Sequence, residues 1–220
     1  MQALFKEHPL IPVIVLEDAN QAVPLARALL DGGVGIIEIT FRTQAAANAI
    51  QAIREAIPEM LCGAGTVLSC DQAADAISAG AQFALAPCVD PDIIDYCRSS
   101  EIPFIPGVAT PSDINQALKL GCKYQKFFPA GALGGASALN AMAAPYLSRE
   151  VRFCPTGGVH LESMDSYLKL PHVFAVGGTW LAKSEDICSG DWSSITERCK
   201  VALERVGTAN DTGALADITT

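Results

Sequence analysis

Lys126 carries the first chemical signal in this chain. It lies in Lys123-Tyr124-Gln125-Lys126-Phe127-Phe128-Pro129, flanked by aromatics in a short run with strand character. An ammonium is costly to bury, and removing the amine from water favours the neutral form that attacks a carbonyl to give a Schiff base. The other use of such a lysine is a structural ion pair with a buried carboxylate. Lys123 has the opposite parity and sits nearer the start of the run, so it points outward. Glu38 offers the matching carboxylate. In Gly35-Ile36-Ile37-Glu38-Ile39-Thr40 it shares a face with Ile36 and Thr40, while Ile37 and Ile39 suit the opposite face. A glutamate there is either a general base tuned by partial burial or the counterion of the lysine. Arg42 follows as a fixed cation suited to bidentate carboxylate or phosphate binding, or else as an ordinary surface arginine.

Two glycine pairs near the end of the chain form a second constellation. Gly157-Gly158 and Gly177-Gly178-Thr179 each follow a strand-like run and precede a helical pattern. Backbone N–H groups without a covering side chain can approach a phosphate, and a helix N-terminus adds a favourable dipole. One Gly-Gly is ordinary turn chemistry. Two in consecutive loops point to an anion site.

These residues need a scaffold that gathers them from distant parts of the chain. Short β-branched runs are expected as strands at 12–16, 36–40, 61–65, 83–86, 104–105, 124–128, 152–155 and 173–176. Helical periodicity fills 22–30, 45–57, 71–79, 91–98, 111–120, 136–144 and 163–170, with a terminal helix over 192–206. Pro91 and Pro111 mark helix starts, and Asp31-Gly32-Gly33, Ala79-Gly80 and Leu120-Gly121 mark helix ends. Eight β-then-α units without a linker fit one closed (β/α)8 TIM barrel over 1–206, followed by a flexible tail at 207–220. A doubly wound open sheet fits less well, because no G-x-G-x-x-G follows the first strand. In a barrel the chemistry gathers at strand C-termini, which is where Glu38, Arg42, Lys126 and both glycine pairs fall.

Composition removes several other classes of function. Half of the 220 residues are hydrophobic, which supplies a core, and the formal charge of −9 opposes broad binding to nucleic acid or anionic membrane. The longest apolar stretches, 10–16 and 83–87, are far shorter than the roughly 20 residues of a membrane span. With no signal-peptide core at the N-terminus, the expected location is the cytoplasm. The eight cysteines include no C-x-x-C pair and sit mostly in apolar runs, so they read as reduced core residues. His8, His160 and His172 form no pair at metal-ligand spacing.

The ordered motifs Glu38-Ile39-Thr40-Phe41-Arg42-Thr43, Gly63-Ala64-Gly65-Thr66-Val67, Lys126-Phe127-Phe128-Pro129-Ala130, Arg152-Phe153-Cys154-Pro155-Thr156-Gly157-Gly158-Val159 and Gly177-Gly178-Thr179-Trp180-Leu181 resemble the 2-keto-3-deoxy-6-phosphogluconate aldolases of the Entner–Doudoroff pathway. The resemblance spans about 12–206. It implies a homotrimeric class I aldolase on a (β/α)8 barrel that needs no metal or other cofactor. The implied reaction cleaves the phosphorylated keto-deoxy sugar acid to pyruvate and glyceraldehyde 3-phosphate, with 4-hydroxy-2-oxoglutarate as a further substrate. By motif match Lys126 is the Schiff-base lysine and Glu38 the proton-transfer residue. Arg42 and Thr66 hold the pyruvate carboxylate region, and Phe128 packs beside the pyruvoyl group. Gly157, Gly158, Gly178 and Thr179 face the phosphate. Glu17 stands where the family often has a basic residue, and Thr179 replaces a frequent serine while keeping the hydroxyl. Two other readings stay open: a related aldolase for the galactonate epimer, and a non-catalytic phosphate- or sugar-acid-binding barrel in which Lys126 and Glu38 form only a structural ion pair.

Overall fold

A computed structural model describes residues 1–214 of the chain. Strands and helices alternate, as the hydrophobic periods require. The first half carries α1 (Gln2–Phe5), β1 (Leu10–Ile14), α2 (Ala22–Asp31), β2 (Ile36–Thr40), α3 (Ala46–Ala56), β3 (Leu61–Gly65), α4 (Cys70–Ser78), β4 (Ala84–Leu85) and α5 (Pro91–Ser99). The second half carries β5 (Phe104–Ile105), β6 (Gly107–Val108), α6 (Pro111–Lys119), β7 (Tyr124–Phe127), α7 (Gly135–Ala143), β8 (Arg152–Pro155), α8 (Met164–Leu168), β9 (Val176–Gly178), α9 (Ser184–Ser189) and α10 (Trp192–Ala214).

Every strand pair is parallel. The strands form a six-stranded sheet in the order β5-β4-β3-β2-β1-β9 and a three-stranded sheet in the order β6-β7-β8. This differs from eight unbroken strands. The fifth expected strand, 104–105, is β5, and a further short strand, β6, follows Pro106, which has no N–H to give to a ladder. The two face different neighbours, β5 pairing with β4 and β6 with β7. Beside β8 the chain leading into and through the last strand is joined by isolated bridges, Phe153 to Val173 and Thr156 to Gly177. The last strand also lies later than 173–176. Pairing with β1 begins at Leu10 opposite Val176, so the ladder starts there.

Helix starts follow the local chemistry. Thr110 and Asp113 form a reciprocal capping box at α6, with Pro111 in the first turn, and Asp90 accepts from the backbone N–H groups of Asp92 and Ile93 at α5. Helix faces then pack on the strands. Leu25, Ala28 and Leu29 of α2 and Ala49, Ile50 and Ile53 of α3 are buried at three- and four-residue spacing. Ala22, Ala26 and Ala46 are buried on the same faces, so small and large side chains alternate there. Below the N-terminal strand ends, buried Phe5 of α1 meets Phe83 edge-on at 5.2 Å and Phe174 at 5.3 Å between ring centres.

At the other end of the chain, α10 runs to Ala214 rather than stopping at Val206. The tail expected at 207–220 is therefore helical through 214, and 215–220 lie outside the described residues.

Candidate active site

Glu38 sits in the middle of β2, opposite Val13 of β1 and Gly63 of β3. Lys126 sits on β7, opposite Gly107 of β6 and Cys154 of β8. The period of two turns both side chains to the same interior, while Ile37, Ile39 and Phe127 pack in the buried core. Lys126 Nζ donates to Glu38 Oε1 at 3.0 Å, with 4% of Lys126 and 1% of Glu38 exposed. A buried charge requires such a partner, because either ion alone would bear an uncompensated desolvation penalty. Lys126 Nζ also lies 5.6 Å from the centre of the Phe128 ring, within cation–π range. Lys123 is exposed and pairs on the surface with Glu150 at 2.6 Å.

Lys126 opens onto a cavity of about 380 Å³. Arg42, Thr66, Phe128, Gly157, Gly158, Gly178 and Thr179 all line it, so the residues singled out in the sequence converge here. Glu38 is the exception, lying beneath Lys126 rather than in the wall. Val13, Thr40, Pro87, Thr156 and Val159 complete the lining and were not singled out as site residues. Pro87 directly follows the strand expected at 83–86, and that position at a strand C-terminus was its available signal. Thr40 shares a face with Glu38, and Thr156 is the residue before the first glycine pair, so parity and adjacency marked both.

Local backbone shapes the walls. Thr66 has φ +56, an unusual conformation for a β-branched residue and one that costs on the order of 1–3 kcal/mol. Its neighbours hold it there: Phe41 donates to the Gly65 carbonyl at 2.7 Å, and Val67 donates to Leu85 at 3.0 Å. Gly157 and Gly158 have φ +87 and +75, a turn that places two backbone N–H groups beside the cavity without covering side chains. Across the cavity, exposed Arg42 has no hydrogen-bond or ion-pair partner among the described residues.

Cys154 faces Lys126 across the ladder, yet burial pushes its thiol up to about 12, outweighing the nearby lysine. It stays a neutral thiol there, a poor nucleophile. Among the described residues, no cluster of three or more His, Cys, Asp or Glu is placed to hold a metal ion. No helix there is long and apolar enough to cross a membrane.

A family model for the KDPG and KHG aldolases matches residues 1–198. The chain is 46% identical over 197 residues to 2-dehydro-3-deoxy-phosphogluconate aldolase of Treponema pallidum, covering 90% of this chain and 93% of that one. It is 41% identical over 203 residues to KHG/KDPG aldolase of Escherichia coli, covering 92% and 94%. Among solved structures it superposes with TM-score 0.87 and 42% identity on KDPG aldolase of Legionella pneumophila, with 91% of this chain and 96% of that one covered. That enzyme holds pyruvate as a covalent carbinolamine intermediate. A family match over most of the chain, with close relatives along nearly all of it, means that this protein belongs to the KDPG and KHG aldolase family.

Proposed function

We propose that this protein is a class I aldolase that cleaves 2-dehydro-3-deoxy-6-phosphogluconate to pyruvate and glyceraldehyde 3-phosphate, and 4-hydroxy-2-oxoglutarate to pyruvate and glyoxylate. The single observation that carries this reading is the 3.0 Å contact between buried Lys126 and Glu38 at the edge of a cavity furnished for an anion. Transfer of the lysine proton to Glu38 within that contact frees the amine without adding net charge to a buried site. The amine adds to the C2 ketone, and Glu38 gives its proton to the carbinolamine hydroxyl, which leaves as water; an iminium and a free Glu38 carboxylate remain. Glu38, directly or through a water, takes the proton of the C4 hydroxyl. The C3–C4 bond then breaks, its electron pair enters the iminium as an enamine, and the aldehyde leaves. Return of the proton to C3 and hydrolysis release pyruvate and restore Lys126. The iminium is the electron sink, so the sequence needs neither metal nor organic cofactor.

In this reading Arg42 and Thr66 hold the carboxylate, and Phe128 packs beside the pyruvoyl carbons. Gly157, Gly158, Gly178 and Thr179 receive the phosphate, far from the bond that breaks. Binding energy gained there orients the reacting carbonyl. The two sheets act as one closed (β/α)8 barrel, supported by the succession of β5 and β6 on either side of Pro106 and by the bridges beside β8. We take the assembly to be a homotrimer on the family resemblance. The reaction belongs in the cytoplasm, because multiply charged sugar acids do not cross a bilayer unaided. The test is pyruvate release from the phosphogluconate-derived substrate, its galactonate epimer and the unphosphorylated acid, each with and without chelator. The reading requires the first to be preferred and the chelator to have no effect.

A further inference from the structure

The proposed substrate brings more negative charge than the catalytic cavity has free cations to meet. A phosphate ester carries about −1.5 to −2 at neutral pH, and the carboxylate adds another unit. The cavity wall contains two cations, Arg42 and Lys126, and Lys126 is already committed to Glu38. Arg42 alone cannot serve both ends of the molecule.

The missing charge stands next door. A second, more open cavity shares Arg42 and Thr179 with the first and is walled by Trp180, Lys183 and Glu185 as well. Lys183 is exposed, and no hydrogen bond or ion pair engages its ammonium among the described residues. It follows Thr179 on the same loop, just past buried Leu181 and Ala182, so its approach to the phosphate end is set by short, packed backbone. Against Arg42 and Lys183 this wall sets one carboxylate, Glu185, leaving an excess of one positive charge in a chain whose formal charge is −9. Such a local excess attracts an anion that the molecule as a whole repels.

We infer that Lys183 is a specificity-determining residue: it supplies the mobile cation that recognises the phosphate of the substrate from the outer side of the Gly178–Thr179 turn. The inference rests on the aldolase reading and names which part of the substrate that site selects by charge. Backbone N–H groups fix the phosphate in place, and Lys183 favours the dianionic ester over neutral analogues. Because the lysine is exposed, its contribution is screened by salt.

The test uses Lys183→Met and Lys183→Arg in the full chain. In condensation of pyruvate with glyceraldehyde 3-phosphate or with glyceraldehyde, the ratio of the two kcat/KM values should fall about five- to tenfold in Lys183→Met. It should hold in Lys183→Arg, and the gap between variants should narrow in 0.5 M KCl. Titration calorimetry with 3-phosphoglycerate and with glycerate gives the same comparison without turnover. Lys183→Met should lose about five- to tenfold affinity for the phosphorylated probe only. Equal losses on both aldehydes, or unchanged affinity for 3-phosphoglycerate, would overturn the inference. An absence of borohydride-trapped pyruvate in the unmodified protein would instead remove the aldolase reading, and the calorimetry would still decide the role of Lys183.

Discussion

The carboxylate of Glu38 occupies the space that a side chain at Gly65 would fill. A Cβ built on Gly65 would lie 2.0 Å from Glu38 Oε1 and 2.6 Å from its carboxyl carbon. Gly65 is opposite Thr40 on the neighbouring strand, so β3 itself opens the slot in which the carboxylate reaches Lys126. Glu38 is only 1% exposed, so the displaced group must press on its packed neighbours or turn toward the cavity that Lys126 borders. Gly65→Ala should therefore push the carboxylate off Lys126 and reduce turnover by about 10²–10⁴, the range expected for losing a general acid–base. The added methyl also costs roughly 1–3 kcal/mol of stability by overpacking, readable as a lower urea midpoint. Shortening the acid in the double variant Gly65→Ala/Glu38→Asp should recover part of the rate. Full activity in Gly65→Ala alone would show that this contact does not matter.

Glu38→Gln keeps the shape and removes the base. Its expected effect is a loss of about 10²–10⁴ in turnover, with exchange of the pyruvate methyl protons into solvent slowed to a similar degree. Imine formation should suffer less, because the amine remains. Methyl exchange at the unmodified rate, followed by NMR in D₂O, would assign the proton transfer to another group.

Strand parity made the interior faces of Glu38 and Lys126 readable before any coordinates, and it correctly sent Lys123 to the surface. Proline punctuation located the starts of α5 and α6, and glycine punctuation the ends of α2, α4 and α6. Four features escaped for physical reasons. The strand at Gly107–Val108, where a loop was expected, forms because the chain past Pro106 meets β7, a tertiary matter. Thr66 at φ +56 goes against its own preference, held by backbone bonds from distant segments. The terminal helix passes through Gly207 to Ala214, although glycine in a helix interior costs about 1 kcal/mol relative to alanine. The slot at Gly65 was hidden too, since a glycine in a strand does not announce which side chain needs its space.

The phosphate end offers a graded test. Thr179 lines the cavity beside Gly178, and its hydroxyl is the uncharged side-chain donor proposed for the phosphate there. Thr179→Ala should cost about 1–3 kcal/mol in kcat/KM on the phosphorylated substrate, equal to roughly 5- to 150-fold. Thr179→Ser should restore most of it. An unchanged preference for phosphorylated over unphosphorylated substrate in Thr179→Ala would move the phosphate elsewhere.

A pH effect on stability should come from His172, far from the chemistry. Its ring is 1% exposed, lies edge-on to Phe153 at 5.9 Å, and neither ring nitrogen has a hydrogen-bond partner. Burial, helped by Arg152, lowers its pKa below the ordinary value of 6.5. The unfolded chain therefore takes up a proton near pH 6.5 that the folded state still refuses, so stability falls as pH drops below that point. Above it the residue contributes no slope. Partly buried His8, also held below 6.5 by burial, adds a contribution of the same sign. Urea midpoints should decline from pH 7.5 to 5.5, and His172→Phe should flatten that decline. An identical slope in the variant would assign the effect to other groups.

The central claim is that Lys126 forms the imine, and one measurement reaches it directly. The protein is incubated with pyruvate, reduced with borohydride, digested and mapped by mass spectrometry, beside Lys126→Arg treated in the same way. An imine requires a primary amine that can lose its proton, which a guanidinium does not supply. The account predicts one pyruvate-derived adduct on Lys126, and neither adduct nor cleavage in Lys126→Arg, which keeps its fold by circular dichroism. An adduct on Lys123, or cleavage by Lys126→Arg at the unmodified rate, would contradict it.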